Sequence, residues 1–263
     1  MLTDSSWRLS VFLLVFMVMA CWQTLKPARD APLKRWQHWQ GNFLLLFCSA
    51  LLARWILPAG LAGVAIMAQN AEWGLFNQIA VSSTLVLISS LLLLDMAIYW
   101  QHRLMHKVPL LWRLHKVHHA DSQVDVTTGL RFHPLEIMLS LFYKAIFVLV
   151  LGVPVYAVLV FEIGLNAFSV FNHANIRLPK KLDNGLSYLF ITQRLHRIHH
   201  SQRVSETNSN YGFSVSWWDK LFASFTPTAQ KTDQDIKLGL SQYPQAEKTS
   251  SLKSMLMMPL DKK

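Results

Sequence analysis

Apolar residues run through this chain in long blocks, too long for the buried face of a soluble helix. The block "LSVFLLVFMVMACW" at 9–22 predicts a first membrane helix over about 9–25. The preceding "MLTDSSWR" carries Asp4 and Arg8 without a positive excess, so the helix reads as an uncleaved span and not a signal peptide. A second span is expected from about 42 to 58. Residues 59–78 contain glycines, Asn70 and a single charge, Glu72, and read as a loop or re-entrant piece. The block "IAVSSTLVLISSLLLLDMAIYW" at 79–100 is a third span. The runs 135–150 and 155–171, separated by "LGVP", are short enough to form a helical hairpin that enters the bilayer and returns. The expected fold is therefore all-α, a polytopic membrane protein with four or five spans and a cytoplasmic histidine-rich helical cap.

Composition agrees with that pattern. The chain is 52% hydrophobic and only 15% charged, against roughly 25% charged residues in soluble domains. Its net charge of +10 would suit nucleic acid, but the basic residues lie between and after the apolar blocks. Membrane topology explains them better, and no nucleic-acid partner is expected. The loop at 26–40 carries Lys26, Arg29, Lys34 and Arg35 between Pro27, Pro32 and the interfacial Trp36 and Trp39, and belongs in the cytoplasm. Counting spans from there puts 101–134 and 172–263 on the same side and the N-terminus outside. The chain reads as a single domain: N-terminal membrane helices over 1–78, a catalytic region over 79–227, and a polar, loosely ordered tail over 228–263. Cys21 and Cys48 both lie in apolar stretches and suggest no disulfide or CxxC site.

The polar stretches hold an unusual set of histidines. His102 and His106 follow the third span at i and i+4, one face if the helix continues. "LHKVHH" at 114–119 and "LHRIHH" at 195–200 then place His115, His118, His119 and His196, His199, His200 at i, i+3 and i+4. Neutral imidazole binds Zn, Cu, Fe or Ni. A tetrahedral ion takes about four ligands, so eight histidines on one side of a membrane suit two ions. His173, in "FNHANI", returns to the same surface and is a ninth candidate. His133, in "RFHPLE", precedes Pro134 at a helix start, where a cap is the simpler role. His38 lies between interfacial tryptophans and needs no function.

The motifs "DMAIYWQHRLMH", "LWRLHKVHH", "RFHPLE", "FNHANI", "HRIHHS" and "NYGFSVSWWDKLF" together resemble the fatty acid hydroxylase/sterol desaturase family over about Asp95 to Phe225. The resemblance implies an integral-membrane di-iron oxygenase of the cytoplasmic membrane. It would use O2 to hydroxylate or desaturate a lipid C–H bond. The family's three histidine boxes fall on His102 and His106, on His115, His118 and His119, and on His196, His199 and His200, with His173 as the additional ligand. One departure is "FAS" at 222–224, where the family commonly has Phe-Gly-Thr. With no recognisable haem or flavin domain in the sequence, electrons are expected from a separate donor protein.

Ligating histidines usually donate their other ring N–H to a carboxylate or carbonyl. Asp95, two helical turns before His102, is the favoured acceptor; Asp121, Asp125, Glu136, Asn166, Asn175 and Asp219 are others, and His133 and Asn175 also stand as outer partners of the site. In the hairpin, Lys144 and Glu162 fall at similar depth, where pairing or contact with a polar cavity is cheaper than isolation. Two other classes stay open. A bis-histidine haem protein would place histidine pairs within facing spans. A metal transporter would want ionisable ligands at mid-membrane, for which Asp95 and Glu162 are the candidates.

Overall fold

The computed structural model describes residues 5–31 and 33–261; Asp4 and Pro32 of the expectations above lie outside them. Among the described residues the secondary structure is helical, with two isolated β-bridges and no strand. The membrane region is built from α1 (Ser5–Leu25), α2 (Arg35–Ile56), α3 (Gly60–Asn70), α4 (Leu75–Gln78) and α5 (Ser83–Lys107). After α6 (Pro109–His119), which lies in the cap, come α7 (Pro134–Leu151) and α8 (Val155–His173). Five segments are long and apolar enough to cross a bilayer, one of them the bent run Arg35–Gln78. Leu135, Leu139, Phe142, Ile146 and Val150 form an exposed apolar stripe down α7. In water such a stripe would be an aggregation site; in a bilayer it faces lipid.

Local chemistry sets the helix ends. Ser82 caps α5, its hydroxyl accepting from the Leu85 amide at 3.3 Å. Pro109 stops α5 and opens α6 at its first turn, so the two histidine-bearing helices meet at a sharp bend. His133 caps α7 through Nδ1, which accepts from the Leu135 amide at 3.2 Å, the simpler role expected of it. The hairpin turns at Gly152, φ 66°. There the Gly152 amide donates to Leu149 and the Val153 amide to Val148 at 3.0 Å, the two bonds of a Schellman ending.

Residues 59–78 depart from the expected loop. Leu61, Val64 and Ala65 of α3 are buried in the main apolar cluster with Leu94, Ile98, Val148 and Phe161. The helix continues the second crossing beyond a break at 57–59. Its far end rests on the hairpin tip, backbone against backbone: a Cβ on Gly74 would lie 2.1 Å from the Gly152 nitrogen. A short apolar helix whose buried residues are only Leu61, Val64, Ala65 and Ala68, with glycines beside them, carries too little patterning to be told from a loop by composition.

Of the two arrangements expected for Lys144 and Glu162, the pair does not form within 4 Å: Glu162 pairs with Arg8 of α1 at 3.0 Å, because α1 packs alongside α8, while Lys144 takes the alternative and lines a cavity. One further expectation changes. The tail is not loose. Met255 and Met258 are buried against Leu45 and Val117. The fully buried Arg131 donates to the carbonyls of Val117 and Thr249, each at 2.8 Å, tying the tail to α6.

Candidate metal centre

The nine histidines gather into two groups, each with ligand nitrogens within 4.8 Å of one another. His102 and His106 of α5, His115 and His119 of α6, and His199 of α10 (which follows α9, Lys180–Leu186, and runs Gln193–His199) form the first. His118, His173, His196 and His200 form the second. This division explains the repeated motif. Each HxxHH sends its i, i+4 pair to one group and its remaining histidine to the other: His115 and His119 to the first with His118 crossing over, His196 and His200 to the second with His199 crossing over. The two helices face each other, and the imidazoles of His119 and His200 stack with centroids 4.5 Å apart where the groups meet.

The outer ring nitrogens determine what the inner ones offer. His102 Nδ1 lies 2.8 Å from the Tyr211 carbonyl, His199 Nδ1 2.8 Å from that of Ser209, His173 Nδ1 2.7 Å from that of Ser169 and His118 Nδ1 3.3 Å from that of Arg131. His115 Nδ1 lies 2.7 Å from Glu136 Oε1. Carbonyl oxygens only accept, so these Nδ1 atoms carry the proton and the Nε2 atoms are bare lone pairs. In the first group, Nε2 of His102, His106, His115, His119 and His199 are all buried without a hydrogen-bond partner. In the second, Nε2 of His173 lies 3.1 Å from that of His118 and 2.8 Å from that of His196. His118 and His173 both hold their proton on Nδ1, so their Nε2 lone pairs, 3.1 Å apart, repel, and a shared cation removes the conflict. The donor sets therefore fit one metal ion each. Burial and the neighbouring imidazoles push His118, His119, His196 and His200 well below the ordinary histidine range, and burial above all pushes His199 down to about 3. All are held neutral, the form that ligates.

Of the outer partners expected, Glu136 is the carboxylate that meets one of the nine grouped histidines. Asp95 reaches none: its Oδ2 accepts from the Trp218 indole at 2.9 Å. Asn175 is bonded to the backbone of Arg29, and His133 lies in neither group. Asp219 acts at one remove. It accepts from the amides of Tyr211 at 2.8 Å and Gly212 at 2.7 Å, holding the loop whose Tyr211 carbonyl orients His102; burial outweighs those bonds and raises its pKa to about 6. His38 is wholly buried and paired with Asp121 at 2.8 Å, two residues beyond His119. Burial works to raise the Asp121 pKa, but the His38 ring and Arg131 outweigh it and leave the group far below the usual carboxylate range. The pair and Thr128, bonded to Asp121 at 2.7 Å, anchor the loop after α6. The carbonyl partners have no signature in the sequence, and His38 shows only as a histidine between tryptophans.

A cavity of about 260 Å³ opens below both groups. His102 and His115 of the first and His118, His173 and His196 of the second line its roof; Ala50, Ala53, Ile98, Ile137 and Leu165 line its walls.

Comparison with known proteins agrees with this geometry. A family model described as fatty acid hydroxylase matches residues 87–224. An ornithine lipid hydroxylase of Rhizobium tropici is 27% identical over 248 residues, 88% of this chain and 70% of that protein. An alkylglycerol monooxygenase of Danio rerio is 30% identical over 137 residues, 52% of this chain and 30% of the relative. A methylsterol monooxygenase of Aspergillus fumigatus is 28% identical over 149 residues, 53% of this chain and 48% of the relative. No solved structure matches. The family match spans more than half of the chain and takes in all nine histidines in order, so the likeness lies where the chemistry lies: the chain belongs to the fatty acid hydroxylase family of membrane oxidoreductases.

Proposed function

We propose that this protein is a di-iron oxygenase that uses O2, and electrons from a separate donor protein, to hydroxylate or desaturate a C–H bond of a membrane lipid. The observation that carries the reading is the convergence of two groups of buried imidazoles, ligand nitrogens facing one another, on one largely apolar cavity within the membrane helices. His102, His106, His115, His119 and His199 would hold one iron, and His118, His173, His196 and His200 the other. Bound iron supplies, with O2, an oxidant strong enough to break an unactivated C–H bond, which side chains alone cannot. The chain's own groups do the rest. Glu136 and the four carbonyls keep protons on Nδ1 and fix the rings. The apolar wall excludes water and lays an acyl chain or ring system against the roof. The relatives are named for an ornithine lipid, an alkylglycerol and a methylsterol, which supports a lipid substrate here.

The basic loop with Lys26, Arg29, Lys34 and Arg35 lies on the cap side of the bilayer, where Arg29 donates to the Ile236 carbonyl at 2.6 Å and its own carbonyl accepts from Asn175 at 2.8 Å. That side is then cytoplasmic, where soluble electron donors are available, and the region 79–227 is the catalytic unit. The acids a transport path would need are otherwise engaged, Asp95 with Trp218 and Glu162 with Arg8. Metal analysis tests the reading together with lipid mass spectrometry of cells with and without the gene. The expected result is two irons per chain and a lipid whose mass shifts by +16 or −2, both lost in His118→Ala and His199→Ala. Full iron content and activity in these variants would overturn it.

A further inference from the structure

Three polar side chains of α7, Glu136, Ser140 and Lys144, follow one another at i, i+4 and i+8, and all three line the cavity. The first two are accounted for: Glu136 holds His115, and the Ser140 hydroxyl donates to Gln101 Oε1 at 3.2 Å. Lys144 is not. Among the described residues its ammonium makes no hydrogen bond and no ion pair within 4 Å. Its neighbouring acid, Glu162, is engaged by Arg8 at 3.0 Å. Nor can the side chain escape to water. Lys144 lies seven residues, about 10 Å, from the hairpin tip and farther from the cap end of the helix, beyond its own length. The cavity wall is largely apolar, with Ala50, Ala53, Ile98 and Leu165 among its residues. A cation in such a setting needs an electron-rich partner, and its one nearby acid is in contact with Arg8 and lies beyond 4 Å from the ammonium.

We propose that Lys144 is a specificity-determining residue that binds a carboxylate or carbonyl oxygen of the lipid substrate inside the cavity. Its Cα lies about 12 Å along α7 from that of Glu136, so the substrate carries this oxygen at a distance from the carbon presented to the histidines. Glu162 sits nearer to Arg8, a residue of α1 outside the cavity lining, than to Lys144, so its charge is divided between the two cations. The inference rests on the cavity being the substrate site of the proposed oxygenase.

The test is binding of hexadecanoic acid, its methyl ester and hexadecane to the purified full chain under anaerobic, unreduced conditions. Native mass spectrometry reads affinity and iron content in the same sample. Lys144→Met is expected to weaken the acid about tenfold or more, as loss of a charged hydrogen bond does, while hexadecane is unchanged and Lys144→Arg binds as the parent does. A smaller loss for the ester than for the acid assigns the partner as a carboxylate; an equal loss assigns a carbonyl. Arg8→Met should also weaken the acid, because it frees Glu162 to pair with Lys144, and it carries the test if Lys144→Met does not fold. Unchanged acid and ester binding in both variants, or an equal loss for all three ligands, overturns the inference. Retained binding in a chain without iron would instead sink the di-iron reading and leave the role of Lys144 standing.

Discussion

Replacing Glu136 by Gln keeps the shape of the side chain and removes its charge. In the parent, Oε1 accepts the His115 Nδ1 proton at 2.7 Å while Oε2 is buried with no partner. A hydrogen bond to a charged acceptor is worth about 1.5–3 kcal/mol and a neutral one about 0.5–1.5. The difference, about 1–1.5 kcal/mol, corresponds to a roughly five- to twelvefold weaker hold on the metal of the first group. Glu136→Leu removes the acceptor altogether and should cost about 10–100-fold. Chelator competition on purified protein, with iron counted per chain, measures both. The metal-free protein should respond the other way: Gln relieves a buried carboxylate that is only half satisfied, so its thermal midpoint should hold or rise. Iron retention equal to the parent in both variants would refute the idea that Glu136 orients and charges His115. A fall in metal-free stability matching the fall in affinity would mean that the residue merely packs.

The metal-free protein should also lose stability as pH falls. Buried His118, His119, His196 and His200 keep folded pKa values well below 6.5, and His199 lies near 3, whereas unfolded imidazoles titrate near 6.5. Stability is thus present above pH 6.5 and lost below it, at about 1.4 kcal/mol per pH unit for each histidine; denaturant melts at pH 7 and 5 that coincide would refute the burial. Ala223 holds a left-handed φ of 55°, so Ala223→Gly should relieve strain and raise stability by about 0.5–1 kcal/mol net of the added unfolded-state entropy. A lower melting temperature would show that the turn relaxes around alanine. Gly74→Ala should cost more than about 2 kcal/mol, because its Cβ meets the Gly152 backbone at 2.1 Å; a variant as stable as the parent would mean that the two turns are not in contact.

Much of the site can be read along the chain because ligand spacing on a helix is local. His102 and His106 fall on one face, and the HxxHH motifs announce a surface of imidazole before any tertiary contact is known. What cannot be read is how the motifs share their histidines. That His118 and His199 each cross to the opposite group depends on two helices facing each other across some eighty residues of chain. The same limit explains Glu162, whose partner comes from α1, and Asp95, which meets Trp218 instead of a histidine one or two turns away. Residues 59–78 and the tail were obscured differently. Burial of Leu61, Val64 and Ala65 follows from the hairpin they rest on, and the "MLMMPL" stretch at 255–260 is too short a run to outweigh its polar surroundings.

The lengths of the hairpin helices reach beyond the protein. α7 has 18 residues and α8 19, the latter ending in His173 of the second histidine group, so the apolar stretch that meets lipid tails is roughly 24–27 Å long. The hydrocarbon core of a typical bilayer is about 30 Å. Lipids beside this hairpin must compress or tilt to match it, at a fraction of a kcal/mol per Å. The hydrophobic mismatch draws the headgroup plane down toward the histidine roof and favours residence in thinner membranes. Acyl length and sterol content of the surrounding bilayer thereby become a lever on how deep a lipid carbon lies when it reaches the histidine roof.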